Sequence, residues 1–229
     1  MHNGGNREKR YKFNKGIIMN NFKKNIYKTY DMVANPPFII ANNIVYFGSQ
    51  TPSWITSKTA SAATGRGAAG TEILDSTFLS SNYIIRRMIG IFDTSTVVMP
   101  PISGTFDVYI TANPSLIART YYLIVANTTF AADAILGLSD WNDFNGSADN
   151  SAIPISSVTV AIGQTGKINF PLDSTSLASI HANNTFSAYV IGENDKNDTA
   201  PNGNPPAPAF SFNSGLGVSG SGDCVLTLT

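Results

Sequence analysis

The feature that most constrains this chain is a succession of short apolar runs, each closed by Gly, Pro, Asn, Asp or Ser. They occupy residues 83–92, 104–111, 121–126, 158–162, 167–172, 186–191, 209–212 and 224–228. Several alternate with period two. Phe106, Val108 and Ile110 share one face of their run and Asp107 and Tyr109 the other, while Ile168, Phe170 and Leu172 share a face of theirs. That is the pattern of strands with one buried face. Eight short strands with no long helix between them exclude a βαβ parallel sheet, and predict an all-β antiparallel sandwich of the jelly-roll kind. One helical turn is expected over residues 173–180, where Leu177 and Ile180 follow a Ser/Thr-rich start.

Composition narrows the class further. Only 13% of the 229 residues are charged against 42% hydrophobic, too little charge for a coiled coil, a helical bundle or a disordered tail. The single cysteine, Cys224, allows no internal disulfide, and no Cys/His grouping is spaced for zinc. No stretch has the ~18 apolar residues of a membrane span. The basic start is not followed by an apolar secretory core. Neither a membrane span nor a standard secretory signal is expected, so a protein acting outside a cell would leave by another route, such as release of assembled particles at lysis.

Charge is distributed unevenly. Residues 1–30 hold eight basic residues against Glu8, a net of +7, so the remaining 7 basic and 14 acidic residues leave a net of −7. Within the basic segment Phe22, Ile26, Tyr30 and Val33 recur at helical spacing, and Pro36 and Pro37 end the pattern. The expected organisation is a basic N-terminal arm over residues 1–50 with an amphipathic helix at 19–34, a loop-rich connector at 51–82 with a short helix near 72–79, and the sandwich at 83–229. The helix has nothing of its own to pack against. Phe22, Ile26 and Tyr30 are therefore the expected assembly residues. A basic arm suits nucleic acid, anionic lipid or an acidic protein surface. Few aromatics interleave with its lysines, so nucleic acid is not favoured.

Other motifs carry less. Residues 65–70 match GxGxxG, with Asp93 some way downstream, but the polar stretch before Gly65 is not the buried strand that a dinucleotide site requires, and a loop is expected. Arg86 and Arg87 are adjacent in an apolar run, so alternation sends one outward and the other inward or to an edge, and an inward one needs a carboxylate partner. His181 has no nucleophile beside it. The carboxylates Asp140, Asp143 and Glu193 could pair as in a glycosidase, but any acidic body offers such pairs. No enzyme activity is expected.

Read in order, residues 84–96 (IIRRMIGIFDTST), the Trp141-Asn142-Asp143-Phe144 loop, residues 166–172, Leu177 to Ile180, residues 186–191, a Pro/Asn loop and a final run resemble a known pattern. They are similar to the carbohydrate-binding-module-like jelly rolls of the DNRLRE (disaggregatase-related) type, found in phage structural proteins and in secreted polysaccharide-active proteins. The resemblance covers residues 83–229 and implies a binding or display module with no hydrolytic centre. It also implies a structural calcium, for which Asp143, Asn145 and Asp149, with Ser147 between them, supply oxygens at every second position. Read from the residues alone, the same stretch is equally an Asx-rich turn bonding its own backbone. For a glycan, an aromatic face with polar neighbours is wanted, which selects Trp141 and Asn142 with Tyr122. No other cofactor is expected. The resulting expectation is a non-enzymatic virion structural or decoration protein, a homo-oligomer whose arm attaches to other structural proteins and whose head is displayed or binds a host surface glycan. The alternative is a free carbohydrate-binding module of an extracellular apparatus.

Overall fold

Which strands have two buried faces and which have one decides the architecture. In the structure, a computed structural model, residues 38–41, 43–67, 71–79, 81–112, 118–126, 130–131, 136–143, 153–201, 210–213 and 224–229 are described. All belong to one unit of the chain, Asn35–Thr229. The described strands are β1 (Phe38–Ile40), β2 (Asn43–Thr51), β3 (Gly65–Gly67), β4 (Thr71–Leu79), β5 (Asn82–Asp93), β6 (Gly104–Ala112), β7 (Arg119–Val125), β8 (Ser156–Val160), β9 (Gly166–Pro171), β10 (Thr185–Gly192), β11 (Phe210–Asn213) and β12 (Val225–Leu228). Short helices α1 (Trp54–Lys58), α2 (Ser174–Ala182) and α3 (Glu193–Lys196) and a 3-10 turn (Leu138–Asp143) lie between them. None of these is long and apolar enough to cross a membrane.

The strands form two antiparallel sheets packed face to face. In sheet I, β6 has β9 along one edge and β12 and then β11 along the other, with β1 outside β12. In sheet II, β5 has β2 on one side and β10 on the other, continuing to β7 and β8, with β3 outside β2. Strand β4 belongs to both. Its first half, Thr71–Leu74, pairs with β11 and its second half, Asp75–Leu79, with β5, so it carries one continuous ladder around the corner of the sandwich. From β5 to β7, and again from β8 to β11, the chain passes back and forth between the sheets.

Sheet I buries one face, and its sequence alternates accordingly. Phe106, Val108 and Ile110 of β6, Ile168 and Phe170 of β9 and Leu226 and Leu228 of β12 point inward, and the residues between them point out. Sheet II buries both faces, so β5, β7 and β10 read as near-continuous apolar runs. Met88 and Phe92, Tyr121 and Leu123, and Phe186, Ala188 and Val190 face sheet I. Ile89 and Ile91, Ile124, and Tyr189 and Ile191 face the opposite way, into a second core covered by Trp54, Ala63, Phe130, Leu136 and Trp141. The described residues therefore form three layers, with sheet II in the middle.

Between the sheets the rings of Phe186, Phe92, Phe106 and Phe170 run in sequence, Phe92 edge-on to Phe106 at 5.6 Å and Phe106 edge-on to Phe170 at 6.4 Å. Gly90 keeps that row close. A Cβ there would lie 3.1 Å from Phe92, 3.2 Å from the Cys224 sulfur and 3.3 Å from Phe106. Helix α2 closes one end, with Asp173 accepting from the Ser176 N–H at 2.8 Å as its N-cap and Leu177 and Ile180 entering the core.

The eight expected strands are all present, with ends within a few residues, and so is the helical turn after Asp173. The antiparallel sandwich is thus the observed architecture. The region before residue 83 differs from expectation. Residues 43–51 and 71–79 are ladder strands on β5, and Gly65–Gly67 pairs with β2, so the sheets begin well before residue 83. The helix expected near 72–79 is a strand, and the helix lies instead at Trp54–Lys58. Leu74 and Phe78 have helical spacing, but Thr71, Ile73 and Thr77 are β-branched and each half of the segment finds a partner strand. The arm residues Phe22, Ile26 and Tyr30 and the helix at 19–34 lie outside the described residues.

Candidate functional site

Polar chemistry in the described residues concentrates in the second core, between sheet II and its outer cover. Alternation along β5 turns Arg87 to that side among Ile85, Ile89 and Ile91, and the side chain is 1% exposed. Its partner comes from 108 residues away. Where β10 ends at Gly192, α3 turns Asp195 back over the sheet, and both carboxylate oxygens receive Arg87, Nε at 2.7 Å and Nη2 at 2.9 Å. Asp195 is also 1% exposed. A bidentate fork of this kind is the geometry in which a buried guanidinium is best compensated. The Arg87 Cζ also sits 4.2 Å from the centroid of the Trp141 ring, a cation–π contact that closes the pair from the cover side.

Helix α1 adds a second cation. Ser53 caps it by accepting from the Thr56 N–H, and this orients Trp54 and Lys58 toward the sheet. The Lys58 ammonium, in a residue 1% exposed, donates to the Asp195 carbonyl at 3.0 Å and to Asp198 Oδ1 at 3.2 Å. The Trp54 indole N–H donates to the same Asp198 oxygen at 2.9 Å, and its ring meets Tyr83 edge-on. Asp198 holds a left-handed backbone conformation, φ 52°, to present that oxygen. The Ala63 N–H donates to the Leu138 carbonyl at 2.9 Å, tying the α1 segment to the turn that carries Trp141.

The electrostatics follow from burial. Desolvation lowers the Lys58 pKa below its ordinary 10.5 even though Asp195 and Asp198 favour the charged form. The Asp198 carboxyl is held below 3.8, chiefly by the Trp54 hydrogen bond. The ion pair thus marks only the half-exposed partner, because for Lys58 burial outweighs attraction. Tyr189, beside this cluster, has its phenol pushed far up by burial. The group joins α1, β5, the 3-10 turn and the end of β10 into one clamp. Asp195 has both oxygens committed, and what the arrangement does chemically is hold the cover on the sheet.

The residues singled out for a ligand are placed as follows. Trp141 is 0% exposed, and it packs between Arg87 and the second core. A sugar cannot stack on a ring with no face in solvent, so the expected role as a glycan platform does not fit its position. Its polar neighbours suggested a solvent loop, but Leu136 and Phe130 fold the same segment down on sheet II. Asn142 and Asp143 end the 3-10 turn, and the placement of their side chains lies outside what is described. Tyr122 is half-buried against the second core, and Tyr121 faces the first, as adjacency required. Asn145 and Asp149 lie outside the described residues, and with them the expected calcium loop. Among the described residues no three His, Cys, Asp or Glu side chains are grouped to hold a metal.

That one of Arg86 and Arg87 turns inward and needs a carboxylate was legible, and the structure shows it to be Arg87. Lys58, Asp195 and Asp198 were not, since the last two sit in what reads as a surface loop. A usable signal was that Lys58 is the first charged residue after Asp31. On the outward face of sheet I, Asp107 forms a smaller polar group with Lys167 at 2.7 Å and with Asn169 and Thr227. The chain matches no family model and no curated protein.

Proposed function

We propose that this chain is a non-catalytic structural protein of an assembled particle, with a jelly-roll head for display and a basic arm for attachment. The observation that carries the reading is the clamp. The residues richest in chemistry, Arg87, Lys58, Asp195, Asp198 and both tryptophans, contact one another and fix a cover on sheet II, which suits a rigid displayed body. The repeated passage of the chain between the two sheets is how jelly rolls are threaded. The +7 arm on a −7 remainder supplies opposite charges for attachment, and the resemblance of residues 83–229 to modules of phage structural proteins points the same way. A free carbohydrate-binding module is the alternative, and it would need an aromatic face other than Trp141.

Light scattering on the full chain tests this. The expected result is a soluble assembly of many chains that shrinks when Phe22, Ile26 and Tyr30 are all replaced by Ser. An assembly unchanged by that triple substitution would overturn the role of the arm. A monomer that binds a polysaccharide saturably on a glycan array would overturn the whole reading in favour of the free module.

A further inference from the structure

We infer that β8 is a dimerisation edge, where a second copy of this chain adds its own β8 antiparallel across a two-fold axis at Val158. This goes beyond the attachment role given to the arm and does not depend on it. Among the described residues four strands are paired on one side only, β1, β3, β8 and β9. A strand paired on one side turns a row of N–H and C=O groups outward, and another strand is what satisfies such a row in series. Three of the four edges are short or guarded. β1 and β3 have three residues each, and β9 carries Lys167 and ends at Pro171, which has no N–H to offer. β8, Ser156–Val160, has neither a charge nor a proline. No Lys, Arg, Asp or Glu occurs anywhere in residues 150–166. The chain outside residues 1–30 carries a net of −7, so two copies approach with least repulsion through an uncharged edge.

The order of side chains along β8 selects the occupant. Across a two-fold axis each residue of an antiparallel pair meets the one equally far on the other side of the axis, so the strand must complement its own reverse. With the axis at Val158, that residue meets Val158 of the copy on the core face. On the outer face Ser157 meets Thr159 and Thr159 meets Ser157, and both residues are exposed. Hydroxyl pairs of this kind are favourable cross-strand neighbours. The Thr159 hydroxyl already meets that of Thr120 on β7 at 3.2 Å, so the second copy extends a hydroxyl row begun within the chain. The ends match as well. Ile153 and Ile162, 85% and 63% exposed, lie five residues before Val158 and four after it. A bulge takes up the odd residue. The Ile155 N–H donates to the Leu123 carbonyl at 2.9 Å although Ser156 is the ladder partner of Leu123, so two residues stand opposite one. Ile153 of each copy is thereby brought to Ile162 of the other, at both ends of the pair, whereas a strand of unrelated sequence would leave these side chains in water. The contact is small, of the weak class, and in a particle of many copies it is reinforced by the others.

The test uses the full chain carrying the arm triple Phe22→Ser, Ile26→Ser, Tyr30→Ser, so that assembly through the arm does not mask the edge, and reads mass by light scattering across concentration and salt. The expected species is a dimer that persists in high salt, as an uncharged contact should. On that background Ser157→Lys with Thr159→Lys sets lysine against lysine at both hydroxyl pairs, and Ser157→Glu with Thr159→Glu sets glutamate against glutamate. Each should raise the dissociation constant at least about tenfold. Mixing the two should restore association as a heterodimer, seen by native mass spectrometry, because every lysine then faces a glutamate. Both positions are exposed, so circular dichroism should report the same fold throughout. An arm triple that stays monomeric, a dimer indifferent to both double substitutions, or weakened variants that fail to associate on mixing would each overturn this pairing and leave the arm's role standing. A chain with its arm intact that the lysine pair alone turns into a monomer would instead overturn the arm's role and leave this pairing standing.

Discussion

Asp195→Asn removes one charge while keeping volume, and the structure says this end of the buried pair should matter more than the other. Breaking a buried ion pair by removing one partner costs about 3–5 kcal/mol, because it strands an uncompensated charge. With Asp195 neutral, Arg87 and Lys58 remain as two cations beneath the cover, and only the half-exposed Asp198 offsets them. With Arg87→Met, by contrast, Asp195 keeps the field of the Lys58 ammonium, which also bonds its backbone carbonyl at 3.0 Å. Asp195→Asn is therefore expected near the top of that range, about 5 kcal/mol, and Arg87→Met near the bottom, about 3 kcal/mol. Replacing both, Arg87→Met with Asp195→Leu, should recover most of the loss, since a well-packed apolar pair often equals the ion pair. Urea unfolding of the four proteins is the assay. The only two tryptophans, Trp54 and Trp141, both sit in the clamp, so fluorescence reports the cover directly and circular dichroism the sheets. Arg87→Met costing as much as Asp195→Asn, or a double variant costing the sum of the two, would refute the argument.

Two further outcomes follow from the same geometry. Because the folded-state pKa of Lys58 lies below 10.5, the unfolded chain binds its proton more tightly, so stability should rise with pH through the window below 10.5. Asp198, whose pKa is also lowered, has the same sign in a different window. Its contribution is present above 3.8 and lost as pH falls through its lower folded value, and half exposure limits it to a fraction of a kcal/mol. Melting temperature against pH for the native chain and for Lys58→Met checks both, the alkaline rise disappearing in the variant and the acid limb remaining. Gly90→Ala should destabilise by about 1–3 kcal/mol, since its methyl must displace the Phe92 and Phe106 rings. An unchanged melting temperature would mean that the aromatic row has slack.

The part of the fold legible in the sequence is the part where burial writes a period. β6 and β9 alternate because one face is wet, and they could be read with their faces assigned. β5 and β10 were found as continuous apolar runs, although what such a run demands, a cover on the second face, was not drawn from them. β4 was missed because its two halves serve different sheets, so no single face organises its residues. The clamp was half legible. The Arg86–Arg87 pair announced a need, but the partners of the inward Arg87 lie 108 residues off at Asp195 and, through that carbonyl, 137 residues back at Lys58, and nothing local in a Ser/Thr-rich helix or a Pro-rich tail points that way.

Trp141 shows how a buried anchor can look like a binding ring in the sequence. A tryptophan among Asn and Asp has two physical explanations, a ring offered to a sugar or a ring that anchors a polar segment to an apolar surface. The second applies wherever a strand is apolar on both faces, because something must cover it, and the cover of a middle sheet is drawn from connecting segments that otherwise look like loops. Sheet II has that character over β5, β7 and β10, and both tryptophans answer it.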